Sequence, residues 1–116
     1  MNVRLTDDAV RVELSLYEKI GGLNGDLTIP YDRITAAYVD PKPLKSIRGR
    51  LKMGLRIPGY HYVCRTGAGH HFWALKGGAP ALRLALDNGW TRDLTVSTPE
   101  PERLAREISR RAPRLR

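Results

Sequence analysis

Apolar and polar positions alternate along this chain in a series of short runs. In "VRVELSL", Val10, Val12, Leu14 and Leu16 fall on one side, and Arg11, Glu13 and Ser15 on the other. A period of two predicts a strand with one buried face. "YEKIGGLNGD" follows, where Leu16, Ile20 and Leu23 allow one helical turn and Asn24-Gly25-Asp26 signals a reversal. "DLTIP" predicts a short strand stopped by Pro30, which cannot donate to a ladder. "RITAAYVD" predicts another, with Ile34, Ala36 and Tyr38 on one face and Asp40-Pro41 ending it. "YHYVCR" sets Tyr60, Tyr62 and Cys64 against His61, Val63 and Arg65. "TGAGHH" then turns the chain into the return strand "HFWALK". "GGAP" turns it again into "ALRLAL", where Leu82, Leu84 and Leu86 alternate, and "DNGWT" leads to a seventh strand, "RDLTVS".

The period changes in "STPEPERLAREISRRAP". Leu104, Ile108 and Ala112 recur at helical spacing, which predicts a helix over about 99–112. Thr98 is placed to cap it and Pro99 to occupy its first position. Glu100 and Glu102 lie at the positive end of the helix dipole, Arg110 and Arg111 at the negative end. Glu102–Arg106 and Glu107–Arg111 are spaced i,i+4 for ion pairs, and Pro113 stops the helix. There is no linker and no internal repeat. One domain over 1–116 is expected, with strands between about 10 and 97. The fold class is mainly β: a seven-stranded antiparallel sandwich or partly open barrel, capped by the C-terminal α-helix.

One run fits no strand in this reading: "PLKSIRGRLKMGLRIPG", residues 43–59. With Lys42 just before it, it offers Lys42, Lys45, Arg48, Arg50, Lys52 and Arg56 and no acid. Leu44, Ile47, Leu51 and Leu55 recur at roughly helical spacing. A helix over 43–52 would align Lys45, Arg48 and Lys52 on one stripe, about 100° from Leu44, Ile47 and Leu51. Such a segment can lie in a membrane interface with its leucines inserted. Alternatively, the leucines plug the barrel mouth and the cations face water. Gly49 and Gly54 weaken a long helix. As a basic loop over 41–59 it exceeds an ordinary connection, and long connections are often functional. Arg56, between Gly54 and the Pro58-Gly59 turn, can fork onto a phosphate or carboxylate, or tie the loop to backbone carbonyls.

Charge sharpens the picture. The 116 residues carry a net charge of +8. Residues 1–40 hold four cations and seven acids, and residues 87–116 hold seven and five. Residues 41–86 hold nine cations and no acid. This asymmetry favours an anionic partner. The fifteen arginines against five lysines also fit the codon bias of a GC-rich genome, in which some arginine is surface filler. Cys64 stands alone, so no intrachain disulfide forms and a reducing cytosol is the simplest compartment. The N-terminus has no signal-peptide pattern, and no apolar run approaches the roughly 18–20 residues of a span. A soluble cytoplasmic protein is expected, peripheral at most to the inner face of a membrane.

Little points to catalysis. His61, Cys64, His70 and His71 diverge on their strands and turn, so neither a metal site nor a cofactor is expected. "GAGHH" opens no helix and carries no lysine, unlike a phosphate loop. Phe72, Trp73, Tyr60, Tyr62 and Trp90 are expected to pack in the core and hairpins, although adjacent Phe72 and Trp73 cannot share one sheet face.

The sequence also resembles the small bacterial pleckstrin-homology-like (PH-like) proteins over roughly residues 8–112. Their "LSLxEKxxxLxGDxxxP" block is matched by "LSLYEKIGGLNGDLTIP", residues 14–30, and their Gly-aliphatic-Arg-x-Pro-Gly block by "GLRIPG", residues 54–59. Phe72-Trp73, and Trp90 before "LTVS", match weaker blocks. The resemblance implies a PH-like fold and no particular activity. Lipid-binding eukaryotic PH domains place cations in the first hairpin, where this chain opposes Lys19 with Glu18 and Asp26. Inositol-phosphate specificity is therefore not carried over.

The expectation is a non-enzymatic binding module. It would associate peripherally with an anionic surface, phospholipid first, through the basic loop 42–56. The alternative is a protein-interaction or self-assembly scaffold, binding an acidic protein surface or forming a homo-oligomer through a sheet edge or aromatic patch. Nucleic acid comes third, because the basic run lacks interleaved aromatics for stacking.

Overall fold

The structure, a computed structural model, describes residues 2–13, 27–43, 51–57, 61–66, 70–76, 79–87 and 89–115. The "YEKIGGLNGD" turn lies outside them. The expected strands are present as β2 (Ala9–Glu13), β3 (Leu27–Pro30), β4 (Ile34–Asp40), β6 (His61–Thr66), β7 (His71–Lys76), β8 (Ala81–Leu86) and β9 (Asp93–Ser97). Two more accompany them: β1 (Asn2–Leu5) and β5 (Leu51–Ile57). β1 pairs with β2 through a turn at Thr6–Ala9. The Thr6 hydroxyl donates to Asp8 Oδ1 (3.0 Å) and accepts from the Ala9 N–H (3.1 Å).

The strands form two separate sheets, β1-β2-β3 and β4-β8-β9-β7-β6-β5, with no closed barrel among the described residues. The all-antiparallel expectation needs correction, because β7 and β9 pair in parallel, from His71↔Asp93 to Ala74↔Val96. β9 inserts between β7 and β8 instead of following β8 at an edge. Its composition suits the centre of a sheet: Leu94, Thr95 and Val96 are all fully buried, and a strand covered on both faces must be apolar or β-branched on both.

The main core lies between the two sheets and the helix. Val10, Val12 and Ile29 of the small sheet meet Phe72, Leu82, Leu84, Leu94 and Val96 of the large one. Phe72 and Trp73 are both about 1 % exposed, on opposite faces of the large sheet. Phe72 joins the main core, and Trp73 clusters with Leu75 and Ala81 behind it.

Helix α1 spans Pro101–Arg111, two residues shorter at its start than the periodicity suggests. Pro101, not Pro99, takes the first position, and Glu100 (φ −133°, ψ 65°), not Thr98, is the cap residue. A residue preceding proline is pushed out of the helical region, so Glu100 cannot continue a helix begun at Pro99. The same rule ends the helix, since Ala112 before Pro113 is extended. Leu104, Ile108 and Ala112 are buried as the stripe requires. Of the two expected pairs, Glu107–Arg111 is the one that forms (3.0 Å), while Arg103 reaches back to Glu100 (2.7 Å). The hydrogen bond from Arg111 holds the Glu107 carboxyl below its usual range, and the same contact raises Arg111. Arg111 Nη1 and the Tyr31 hydroxyl both donate to the Thr6 carbonyl (3.0 and 2.7 Å), joining the helix to the β1–β2 turn.

Candidate functional site

The basic run divides differently from its sequence reading. Lys42 is exposed just past β4, its N–H donating to Asp40 Oδ1 at 3.0 Å. Lys45, Arg48 and Arg50 lie outside the described residues, as do Leu44 and Ile47. Lys52 and Arg56 belong to strand β5. Within the loop proposed for 41–59, residues 51–57 are thus a strand, and Lys52 does not sit on a helical stripe. The physical reason lies in "LKMGLRI". Leu51, Met53, Leu55 and Ile57 also alternate strictly with Lys52, Gly54 and Arg56, and this period of two prevails over the period near four. Gly54 costs an α-helix about 1 kcal/mol relative to alanine.

β5 is an edge strand, antiparallel to β6 from Ile57↔His61 to Leu51↔Thr66, with a register shift between Leu51 and Met53. Cations and a bulge are both devices that keep an edge from pairing with another chain. β4, at the opposite edge, runs in the same direction as β5, β7 and β9. Lys42 and Arg56 therefore fall toward one end of the large sheet and Lys52 toward the other. Lys52 and Arg56 are separated by about 13 Å along the strand. The described cations flank two edges and do not merge into a single stripe.

The end of the sheet where β5 and β9 begin carries the 87–92 connection between β8 and β9. This short loop is fastened by many hydrogen bonds. Arg33, in the 3₁₀ turn Tyr31–Arg33, donates from Nε to the Asp87 carbonyl (2.8 Å) and from Nη2 to the Thr91 carbonyl (3.2 Å). The Asp87 N–H returns a bond to the Arg33 carbonyl (2.9 Å). The Arg92 N–H donates to the His70 carbonyl (2.8 Å), and His70 Nδ1 meets the Trp90 carbonyl (2.7 Å). Arg114 pairs with the Asp87 carboxylate. Gly89 lets the Arg33 guanidinium press against the loop, because a Cβ there would stand 2.2 Å from Nη2. The outcome is a fixed turn that holds Trp90 52 % exposed. The expectation that Trp90 packs in the hairpin is corrected accordingly.

The face of the large sheet behind the main core carries an ionic row that the sequence reading missed. Arg83 lies between Asp40 (3.8 Å) and Asp93 (3.6 Å), with its guanidinium 5.4 Å from the Trp73 ring centre. His71 Nδ1 meets Asp93 Oδ2 at 2.9 Å, and the Trp73 indole donates to the Thr66 hydroxyl at 2.8 Å. Asp93 Oδ1 and Thr95 Oγ1 are buried without a hydrogen-bond partner among the described residues. The row shares its face with Trp73, Leu75 and Ala81, so polar and apolar positions mix there. Which strands lie side by side, however, is a long-range fact that local periodicity does not contain. The row ties β4, β8, β9 and β7 together. It exposes no nucleophile, since Thr66 is about 1 % exposed and its hydroxyl is engaged by Trp73.

Among the described residues, no helix is long and apolar enough to cross a membrane. Comparison of the chain with known protein families, with curated proteins and with solved structures finds no match.

Proposed function

We propose that this domain is a non-enzymatic binding module that associates peripherally with an anionic surface, phospholipid bilayer in the first instance, through the basic segment 42–56. The observation that carries this reading is the run from 41 to 86, with nine cations and no acid. Exposed Lys42 and the edge position of β5 support it, because an edge strand lies at the periphery of its sheet. Each cation near an anionic membrane contributes on the order of 1 kcal/mol, so four to six give weak, reversible attachment. The likeness to a PH-like fold rests on β-layers packed against a C-terminal helix, and the parallel β7–β9 pair departs from it.

The test is sedimentation with vesicles. The protein is expected to pellet with vesicles containing phosphatidylglycerol and to stay in the supernatant with pure phosphatidylcholine. Binding should fade as salt rises, since the screening length falls to about 8 Å at physiological ionic strength. A protein that ignores anionic vesicles even at low salt rules out this function, and the protein-interaction module takes its place.

A further inference from the structure

We infer that the outer edge of β4 is a self-pairing site, where two copies of this chain join antiparallel, β4 to β4, into one continuous sheet. The inference is independent of the membrane reading, and its test uses no lipid. Three observations carry it. First, β4 ends the large sheet. Its backbone pairs with β8, and among the described residues no strand continues the ladder on its other side. A row of unpaired N–H and C=O groups is a template for a further strand. Thr35 to Val39 all keep some exposure, whereas Leu94 to Ser97 of central β9 are buried throughout. Second, this edge lacks the guards that the other sheet edges carry. β1 has Arg4, β3 ends in Pro30, and β5 holds Lys52 and Arg56, residues that discourage pairing. Ile34 to Val39 include no charge, proline or glycine, and Asp40 is held by Arg83 of its own chain. The one register shift of β4, between Ile34 and Ala36, lies at its start and leaves Ala36–Asp40 regular. Third, the edge is complementary to itself, as a two-fold pair requires. Antiparallel pairing sets the start of each strand beside the end of its partner. Exposed Asp32, just before β4, then comes to the end that carries exposed Lys42, just after it. Centred on Ala37, the pairing places each Tyr38, 47 % exposed, across from the partner's Ala36, whose small side chain leaves room for the ring. A second copy supplies both the opposite charges and the fit.

Analytical ultracentrifugation tests the inference. With rising concentration the wild type should move from the 13.0 kDa of one chain toward twice that mass. Tyr38→Lys, a change at an exposed side chain, should remain a monomer with the circular dichroism of the wild type. Asp32→Lys should weaken the pair several-fold, and adding Lys42→Asp to it should restore the pair. Trp90→Lys, the same kind of change at another exposed aromatic, should dimerise as the wild type does. Hydrogen exchange gives a readout that needs no variant: alternate amides over Ala36–Asp40 should slow as the concentration rises. The inference is overturned if the wild type stays a single chain up to about 1 mM. It is overturned equally if dimers form while Tyr38→Lys still dimerises and the β4 amides do not slow, because the contact then lies on another surface. Failure of Lys42→Asp to restore what Asp32→Lys loses would contradict the antiparallel arrangement. None of these results bears on the anionic-membrane reading, which vesicle sedimentation tests separately.

Discussion

Two parts of this molecule are rich in arginine and lysine, and they handle that charge in opposite ways. Along helix α1 and the residues after it, four arginines meet acids: Arg103 binds Glu100, Arg110 and Arg111 bind Glu107, and Arg114 binds Asp87. Across 41–86 the segment supplies no acid of its own. Among the described residues, Arg83 lies in an ionic row, compensated by Asp40 and Asp93 from outside the segment. The arginines at the C-terminal end therefore have acids close by in sequence, whereas the basic segment contains none. Net charge over a whole chain cannot reveal this difference; local pairing does.

The largest expected effect would break the helix side of the comparison. Leu104→Ala and Ile108→Ala should each cost about 2–4 kcal/mol in denaturant unfolding, because both side chains are buried against the large sheet and leave cavities. Truncation after Ser97 should yield an unfolded or aggregating chain. A truncated protein that melts with the full-length one would remove α1 from the core.

Next comes Arg83, which the described residues hold in an ionic row. Arg83→Met leaves the largely buried Asp40 and Asp93 without this cation and should cost about 2–3 kcal/mol. Vesicle binding should be unchanged, since Arg83 has no charge to spare. Equal stability of Arg83→Met and wild type would show that the row holds nothing together.

Arg33→Ala should cost about 1–2 kcal/mol by removing two charge-assisted hydrogen bonds from the 87–92 turn. Gly89→Ala should mimic it more weakly, because the flexible guanidinium can move aside from the new methyl group. If Gly89→Ala exceeds Arg33→Ala, the turn depends on its own backbone and not on the arginine.

The smallest effect belongs to Glu107. Its carboxyl is held below the ordinary value of 4.5 by Arg111. The folded state thus gains a little stability above that value, and loses it as pH falls through the lowered value. The melting temperature of the wild type should converge with that of Glu107→Gln in strong acid and exceed it slightly at neutral pH. Indistinguishable melting at both pH values would mean that the pair is only a surface contact.

Strands with a clear alternation were legible from the residues alone: "VRVE", "ITAAYVD", "HFWALK" and "ALRLAL" are all paired strands. The helix stripe Leu104–Ile108–Ala112 was legible too. Its start was misplaced because three candidates, Thr98, Pro99 and Pro101, compete within four residues, and only the pre-proline restriction on Glu100 decides between them. β5 was hidden because "LKMGLRI" satisfies two periods at once. β1 is four residues with two apolar positions, too short to stand out. The parallel insertion of β9 and the Arg83 row depend on contacts between distant strands, which no window of local pattern records. Of the six candidate cations, Lys52 and Arg56 belong to an edge strand that local pattern did not single out.

The central claim is that the acid-free basic segment, and not the C-terminal helix with its acids, attaches the domain to an anionic surface. Two matched triple variants test it in one vesicle-sedimentation experiment with phosphatidylglycerol. Lys42→Glu, Lys45→Glu, Arg48→Glu should abolish binding with the melting temperature nearly intact. Arg103→Glu, Arg106→Glu, Arg110→Glu makes the same change in net charge and should leave most of the binding in place. Equal loss of binding in the two variants would show that total charge alone matters, and would contradict the claim.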